Sequence, residues 1–251
     1  MSLQLNNVTA GYTKVPVITD ITFDVNPGEI CGLIGLNGAG KSTTIKTIIG
    51  QLTPFSGRVE VEKLSILENQ RGYRQSIAVI PESPVLYEEL TFREHIEFVA
   101  RSYNQMNEET MSHAMELVEA FRLTKQLDWF PAYFSKGMKQ KVLIVCALML
   151  DVPVYVVDEP FLGLDPLGIR TLLQVLKEKK EKGAAILMST HVLDTAEKYC
   201  DRFIVLHEGK VIAQGDIEGL RATSNIEENS LEEIYFALTT GDDAHELCNN
   251  F

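Results

Sequence analysis

Eight consecutive residues constrain this chain more than any others: Gly35-Leu36-Asn37-Gly38-Ala39-Gly40-Lys41-Ser42. They fit the pattern G-x-x-x-x-G-K-S. The apolar run Ile30-Cys31-Gly32-Leu33-Ile34 before them reads as a buried strand. Thr43 to Ile49 after them reads as a helix with Ile45, Ile48 and Ile49 on one face. A glycine-rich loop in that position lets backbone N–H groups wrap an anion, and the helix N-terminus adds partial positive charge. In such a P-loop the lysine, Lys41, reaches the β- and γ-phosphates, and the Ser42 hydroxyl ligates Mg²⁺. Gly35, Asn37, Gly38, Ala39, Gly40, Lys41, Ser42 and the adjoining Thr43 are therefore the candidate residues for binding a nucleotide.

A second feature supplies what hydrolysis needs. Val154-Tyr155-Val156-Val157 is an apolar strand that ends in Asp158-Glu159. In a P-loop protein an acid at the end of a neighbouring strand holds Mg²⁺, and Asp158 fits that role. Glu159, one residue further, points elsewhere and is placed to orient or deprotonate an attacking water.

The rest of the chain alternates strands with helices, which implies a mainly parallel α/β sheet. Residues 2–8 and Ile21 to Val25 read as half-buried strands, with Gly11-Tyr12-Thr13-Lys14 as a loop between them. Short strands follow at Val59 to Val61 and Ser76 to Ile80. The pattern then turns helical: Thr91 with Glu94 three residues on forms a capping box. Glu108 to Phe121 keeps a helical period, and Ser135 opens a long apolar helix to Met149. Strands resume at Val154 and at Ala185 to Met188. Between them Asp165-Pro166 reads as the cap and first residue of a helix. Phe203 to Leu206 and Val211 to Ala213 form a hairpin across Glu208-Gly209. An acidic, partly helical tail follows, with Leu231, Ile234 and Leu238 as its apolar stripe.

The net charge of −12 argues against a nucleic-acid groove or a basic membrane-binding patch. The longest apolar run, Val142 to Leu150, is too short to span a bilayer, and the first residues carry no signal pattern. A cytosolic chain without a membrane span is expected. Cys31, Cys146, Cys200 and Cys248 form no C-x-x-C pair and read as reduced thiols, with no metal site or redox pair.

Further motifs carry a family resemblance. Phe134-Ser135-Lys136-Gly137-Met138, followed by Lys139-Gln140, resembles the signature motif of ABC-transporter ATPases. Leu162-Gly163-Leu164-Asp165 resembles their D-loop, and Ser189-Thr190-His191 their switch histidine. The order matches that family over residues 3 to about 215. The stretch Ile80 to Leu90 and the run Trp129 to Gln140 resemble the Ecs type of Gram-positive bacteria. The resemblance implies a P-loop NTPase (RecA-like) core over 1–82 and 150–215, with antiparallel strands at the N-terminus. It implies a helical signature subdomain inserted at 83–149, and leaves 216–251 as an extension. It implies an ATPase that uses ATP and Mg²⁺ to drive a separate integral membrane subunit, with export favoured. In it Tyr12 stacks on adenine, His191 contacts the γ-phosphate, and Glu82 takes the place of a glutamine near Mg²⁺. Ser135, Gly137 and Asp165 belong to the site of a second copy, so two ATP molecules join a head-to-tail homodimer. Two departures stand out: Lys136 replaces the usual glycine, and Glu82, unlike a glutamine, cannot donate a hydrogen bond. A soluble ABC ATPase without a transport role is the alternative. Val85, Leu86, Tyr87, Trp129, Phe130 and Tyr133 are candidates for a partner surface, or for ordinary packing of the helical insertion.

Overall fold

The computed structural model describes residues 2–224 and 230–240. It opens on two long strands, β1 (Leu3–Tyr12) and β2 (Val15–Val25). Tyr12 pairs directly with Val15, and Thr13 and Lys14 both take positive φ, 48° and 67°. Such a two-residue turn matches the twist of the strands it joins. The expected four-residue loop at Gly11 to Lys14 is thus corrected: Gly11 and Tyr12 are strand, because two residues suffice to reverse the chain.

β3 (Ile30–Ile34) runs into the P-loop and then α1 (Lys41–Ile48). β4 (Ser56–Val61), β5 (Leu64–Ser65), α2 (Gln70–Gln75) and β6 (Ile77–Ile80) follow. Next come three helices, α3 (Phe92–Ser102), α4 (Glu108–Ala120) and α5 (Lys136–Leu148). The spacing at Thr91 and Glu94 forms a reciprocal cap: the Thr91 hydroxyl accepts from the Glu94 N–H, and the Glu94 carboxylate accepts from the Thr91 N–H. Ser135 caps α5 by accepting from the Met138 N–H. β7 (Val154–Asp158), α6 (Pro166–Glu181), β8 (Ala185–Thr190) and α7 (Leu193–Tyr199) come next. The described chain ends with β9 (Arg202–His207), β10 (Lys210–Gly215), α8 (Ile217–Ser224) and α9 (Leu231–Thr240).

The strands form two sheets. One has the order β10-β9-β3-β8-β7-β6, the other β2-β1-β4-β5. In the larger sheet β9, β3, β8, β7 and β6 are parallel, and β10 returns antiparallel at one edge. β3, β7 and β8 are buried along their whole length. That burial is why they read as unbroken apolar runs rather than as alternating strands. The smaller sheet is antiparallel throughout.

Each face of the large sheet is covered. On one, Phe92, Ile96, Val118 and Val142 of α3 to α5 pack over Tyr155, Val157 and Ile186. On the other, Leu3, Leu5, Ile21 and Val59 of the small sheet pack with Ile45 and Ile48 over Cys31, Leu33 and Val156. Fully burying one such large apolar side chain contributes about 1.5–3 kcal/mol. A third cluster joins Ile34, Phe203 and Val205 to Leu231, Ile234 and Tyr235, with Leu238 packed against it. The tail helix is therefore docked onto the end of the P-loop strand. Burial pushes the thiols of Cys146 and Cys200 up to about 12 and raises that of Cys31 as well. Cys248 lies outside the described residues. No helix among the described residues is long and apolar enough to cross a membrane.

Candidate functional site

The P-loop leaves β3 and closes into α1 at Gly40, whose φ of 109° no L side chain adopts readily. A Cβ there would also lie 2.8 Å from Ile18 Cγ2. The loop is braced from behind. The Gly209 N–H, in the β9–β10 turn, donates to the Ala39 carbonyl at 3.0 Å, and the Gly209 carbonyl accepts from the Thr19 N–H at 2.9 Å. Lys41 is buried, and its Nζ donates to the Gly35 carbonyl at 2.7 Å and to that of Leu36 at 3.4 Å. The loop encloses a cavity of about 350 Å³, lined by Leu36, Asn37, Gly38, Gly40, Lys41, Ser42 and Thr43 together with Val17, Glu82, Glu159, Leu162 and His191.

Acidic groups converge from the ends of β6 and β7, beside β8. Asp158 lies opposite Ser189 in register, and the Ser189 hydroxyl donates to Asp158 Oδ1 at 2.5 Å. The same hydroxyl accepts from the Glu159 N–H at 3.1 Å. Glu159 sits at φ 43°, in the left-handed region where a side chain is strained. There its carboxylate lies 3.8 Å from Lys41 Nζ and accepts from His191 Nδ1 at 2.9 Å. With Nδ1–H donating to Glu159, a neutral imidazole leaves Nε2 as an acceptor. For His191 to donate to a phosphate oxygen through Nε2, the ring must be protonated or the bond to Glu159 released.

Burial holds the Asp158 carboxyl above the ordinary aspartate value, the Ser189 hydrogen bond opposes this, and Glu82 and Glu159 push it further up. Bringing three carboxylates together calls for a compensating cation. Ser42, Glu82 and Asp158 offer oxygen donors only. Among the described residues no group of three or more His, Cys, Asp or Glu could hold a metal by itself. Mg²⁺ takes one or two carboxylates and completes its shell from phosphates and water, so this donor set beside a phosphate cradle fits that ion.

The remaining predicted residues lie elsewhere. Ser135, Gly137 and Asp165 line a separate cavity of about 330 Å³, with Gly163, Lys141 and Arg122. None of them lines the P-loop cavity. Gly137 abuts the D-loop so closely that a Cβ on it would lie 2.4 Å from the Gly163 carbonyl. Asp165 stands at the N-cap of α6, as its pairing with Pro166 predicts, but its side chain makes no capping bond. It pairs with Lys141 at 2.7 Å instead, which holds its carboxyl below the usual range. Tyr12 is 44% exposed and is not part of the P-loop cavity lining. It lies against Lys46 of α1, whose Nζ is 5.7 Å from the ring centre. Of the six candidate partner residues only Leu86 packs on the helical core; the other five are exposed. Sequence reasoning missed Tyr235, whose hydroxyl accepts from the P-loop N–H of Leu36 at 3.0 Å. Its only sequence signal was a place beside Ile234 on the apolar stripe of the tail.

Comparison with known proteins follows the same lines. A family model described as an ABC transporter matches residues 18–162. The chain is 49% identical to the ABC-type transporter ATP-binding protein EcsA of Bacillus subtilis (strain 168), over 97% of this chain and 99% of that protein. It is 34% identical to the Nod factor export ATP-binding protein I of Rhizobium meliloti (strain 1021), over 98% of this chain and 72% of that protein. A solved structure described as the ATP-binding subunit of an ABC transporter superposes with a TM-score of 0.93 at 49% identity, covering 95% of this chain and 99% of the other.

Proposed function

The chain belongs to the ABC transporter family as one of its ATP-binding subunits, an ATPase, and on that premise we propose that two copies clamp two ATP molecules head to tail to drive an exporter. One observation carries this reading: the phosphate cradle and the signature residues face different cavities of the same chain. A nucleotide held by Lys41 is enclosed only when Ser135 and Gly137 come from another copy. The positive end of α5, strengthened by Lys136, then faces the γ-phosphate. Residues 1–82 and 150–215 act as the RecA-like core and 83–149 as the arm that delivers the signature.

Each residue has a role in this scheme. Lys41 and the N–H groups from Gly38 to Thr43 hold the β- and γ-phosphates. Ser42, Glu82 and Asp158 would hold Mg²⁺, which when bound neutralises charge on the transferring phosphoryl group. Glu159 aligns the attacking water and takes its proton. His191, already bonded to Glu159, contacts the γ-phosphate once that bond is exchanged. Tyr12 stacks on adenine, and Asp165 steadies the joint between the copies. The γ-phosphate is the differential ligand: it favours the closed pair, and its loss allows opening. The exposed Val85 and Tyr87, followed by Trp129, Phe130 and Tyr133, offer apolar area to an integral membrane subunit. That contact would keep the chain at the cytoplasmic face of the membrane. The similarity to a Nod factor export protein supports the export direction.

The test is Glu159→Gln, tagged, with ATP and Mg²⁺ in detergent-solubilised native membranes. The expected result is a dimer by light scattering that retains a stoichiometric polytopic membrane protein. A monomer under saturating ATP would overturn the shared site. A dimer that captures only soluble partners would overturn the transport role.

A further inference from the structure

We infer that Tyr235, on the C-terminal helix α9, is a positioning residue of the nucleotide site, and that α9 is an arm whose docking is coupled to nucleotide binding. This rests on the P-loop reading above and extends it to a segment that the motifs do not reach.

The inward face of α9 is apolar except at one atom. Leu231, Ile234 and Tyr235 are buried, and Leu238 packs beside them. A phenylalanine would fill the Tyr235 position equally well. Only the hydroxyl reaches the Leu36 N–H, across a sequence separation of 199 residues. That N–H shares its peptide plane with the Gly35 carbonyl, which accepts from Lys41 Nζ at 2.7 Å, and the Leu36 carbonyl of the next peptide accepts from the Ala39 N–H at 3.1 Å. Tyr235 therefore fixes the plane of a peptide that in turn fixes Lys41. Rotation of that peptide would turn its carbonyl away from the ammonium that meets the phosphates.

The same helix touches the other side of the site. The Leu231 N–H at its start donates to Glu197 Oε2 on α7 at 2.8 Å. α7 begins at Leu193, two residues after His191. α9 thus bears at once on the loop that holds Lys41 and on the helix that follows His191. Two equilibria sharing one hydrogen-bonded peptide are linked in both directions: a docked α9 favours nucleotide, and nucleotide favours a docked α9.

The experiment compares full-length wild type, Tyr235→Phe and Leu238→Ala, with Mg²⁺-ADP and Mg²⁺-ATP as the probes. Losing one such hydrogen bond is expected to weaken binding about threefold to tenfold. For Tyr235→Phe, Kd for ADP and KM for ATP rise by that factor and kcat changes less. The melting temperature without nucleotide stays within about 3 °C of wild type. Leu238→Ala removes packing and keeps the hydroxyl, so it lowers the melting temperature and, while α9 stays mostly docked, raises KM less than Tyr235→Phe does. In wild type, hydrogen exchange across residues 231–240 slows when Mg²⁺-ADP binds, and Tyr235→Phe abolishes that slowing. Unchanged affinity in Tyr235→Phe overturns the inference, as does an equal rise of KM in Leu238→Ala. Lys41→Ala separates the two levels: if it keeps full affinity, the P-loop reading itself fails. If Lys41→Ala loses affinity and Tyr235→Phe does not, only the role of Tyr235 fails.

Discussion

The chain carries two cavities of nearly equal volume, about 350 and 330 Å³, and they differ in kind. The P-loop cavity gathers Lys41, Glu159 and His191 in one hydrogen-bonded and ionic set, with two of the three buried. The signature cavity offers a helix start, a glycine contact and one half-exposed ion pair. Reactive groups gain strength where water is excluded. Recognition groups must stay where another chain can reach them. On the proposed reading, the first cavity does chemistry on what it holds, and the second completes a site on another copy.

Four substitutions break or sharpen that contrast. The largest effect is expected for Glu159→Gln, which should slow ATP hydrolysis by about 10²–10³-fold while nucleotide still binds, read by phosphate release beside calorimetry. Lys41→Ala should cost on the order of 10²-fold in nucleotide affinity, because a charge-assisted hydrogen bond is lost. Both changes act within one chain. Gly137→Ala tests the other cavity. Its Cβ would collide with the Gly163 carbonyl, and overpacking of this kind costs about 1–3 kcal/mol. Hydrolysis and ATP-dependent pairing should fall about tenfold, whereas the affinity of a single chain for ADP should not change. If that affinity falls as well, the two cavities are not separate.

The smallest effect is expected for Lys141→Met. A partly exposed ion pair contributes about 0.5 kcal/mol. Because Lys141 holds the Asp165 carboxyl below its unfolded value, the contribution is present above the ordinary aspartate pKa. It fades as pH falls through the lowered value. Denaturation midpoints of wild type and variant should therefore differ at neutral pH and converge in acid.

The same contrast explains what could be read from the sequence. The P-loop, the strand ending in Asp158-Glu159 and the capping box at Thr91 and Glu94 are local patterns, and each appears where its spacing predicts. β5 and α2 are too short to show a period, so they left no trace. The strand through Gly11 and Tyr12 was hidden because a tight turn of Thr13 and Lys14 has no glycine to announce it. The Asp165–Lys141 pair and the Tyr235–Leu36 bond join distant segments, and no local rule predicts a partner 24 or 199 residues away. Identities of residues were legible; their long-range pairings were not.

β3, which carries the P-loop, is hydrogen-bonded on both sides to strands made much later. Ile30 faces Ile186 on one flank, and Cys31 faces Arg202 on the other. During synthesis β3 leaves the ribosome roughly 150 residues before either neighbour exists, a wait of about 10–30 s at ordinary elongation rates. Through that interval Ile30 to Ile34 is an apolar segment with both edges open, a natural client for chaperones and a seed for aggregation. Nucleotide cannot rescue it early, since the cradle closes only when the last strands arrive. The yield of folded subunit should therefore depend on elongation rate and temperature more than on added ATP.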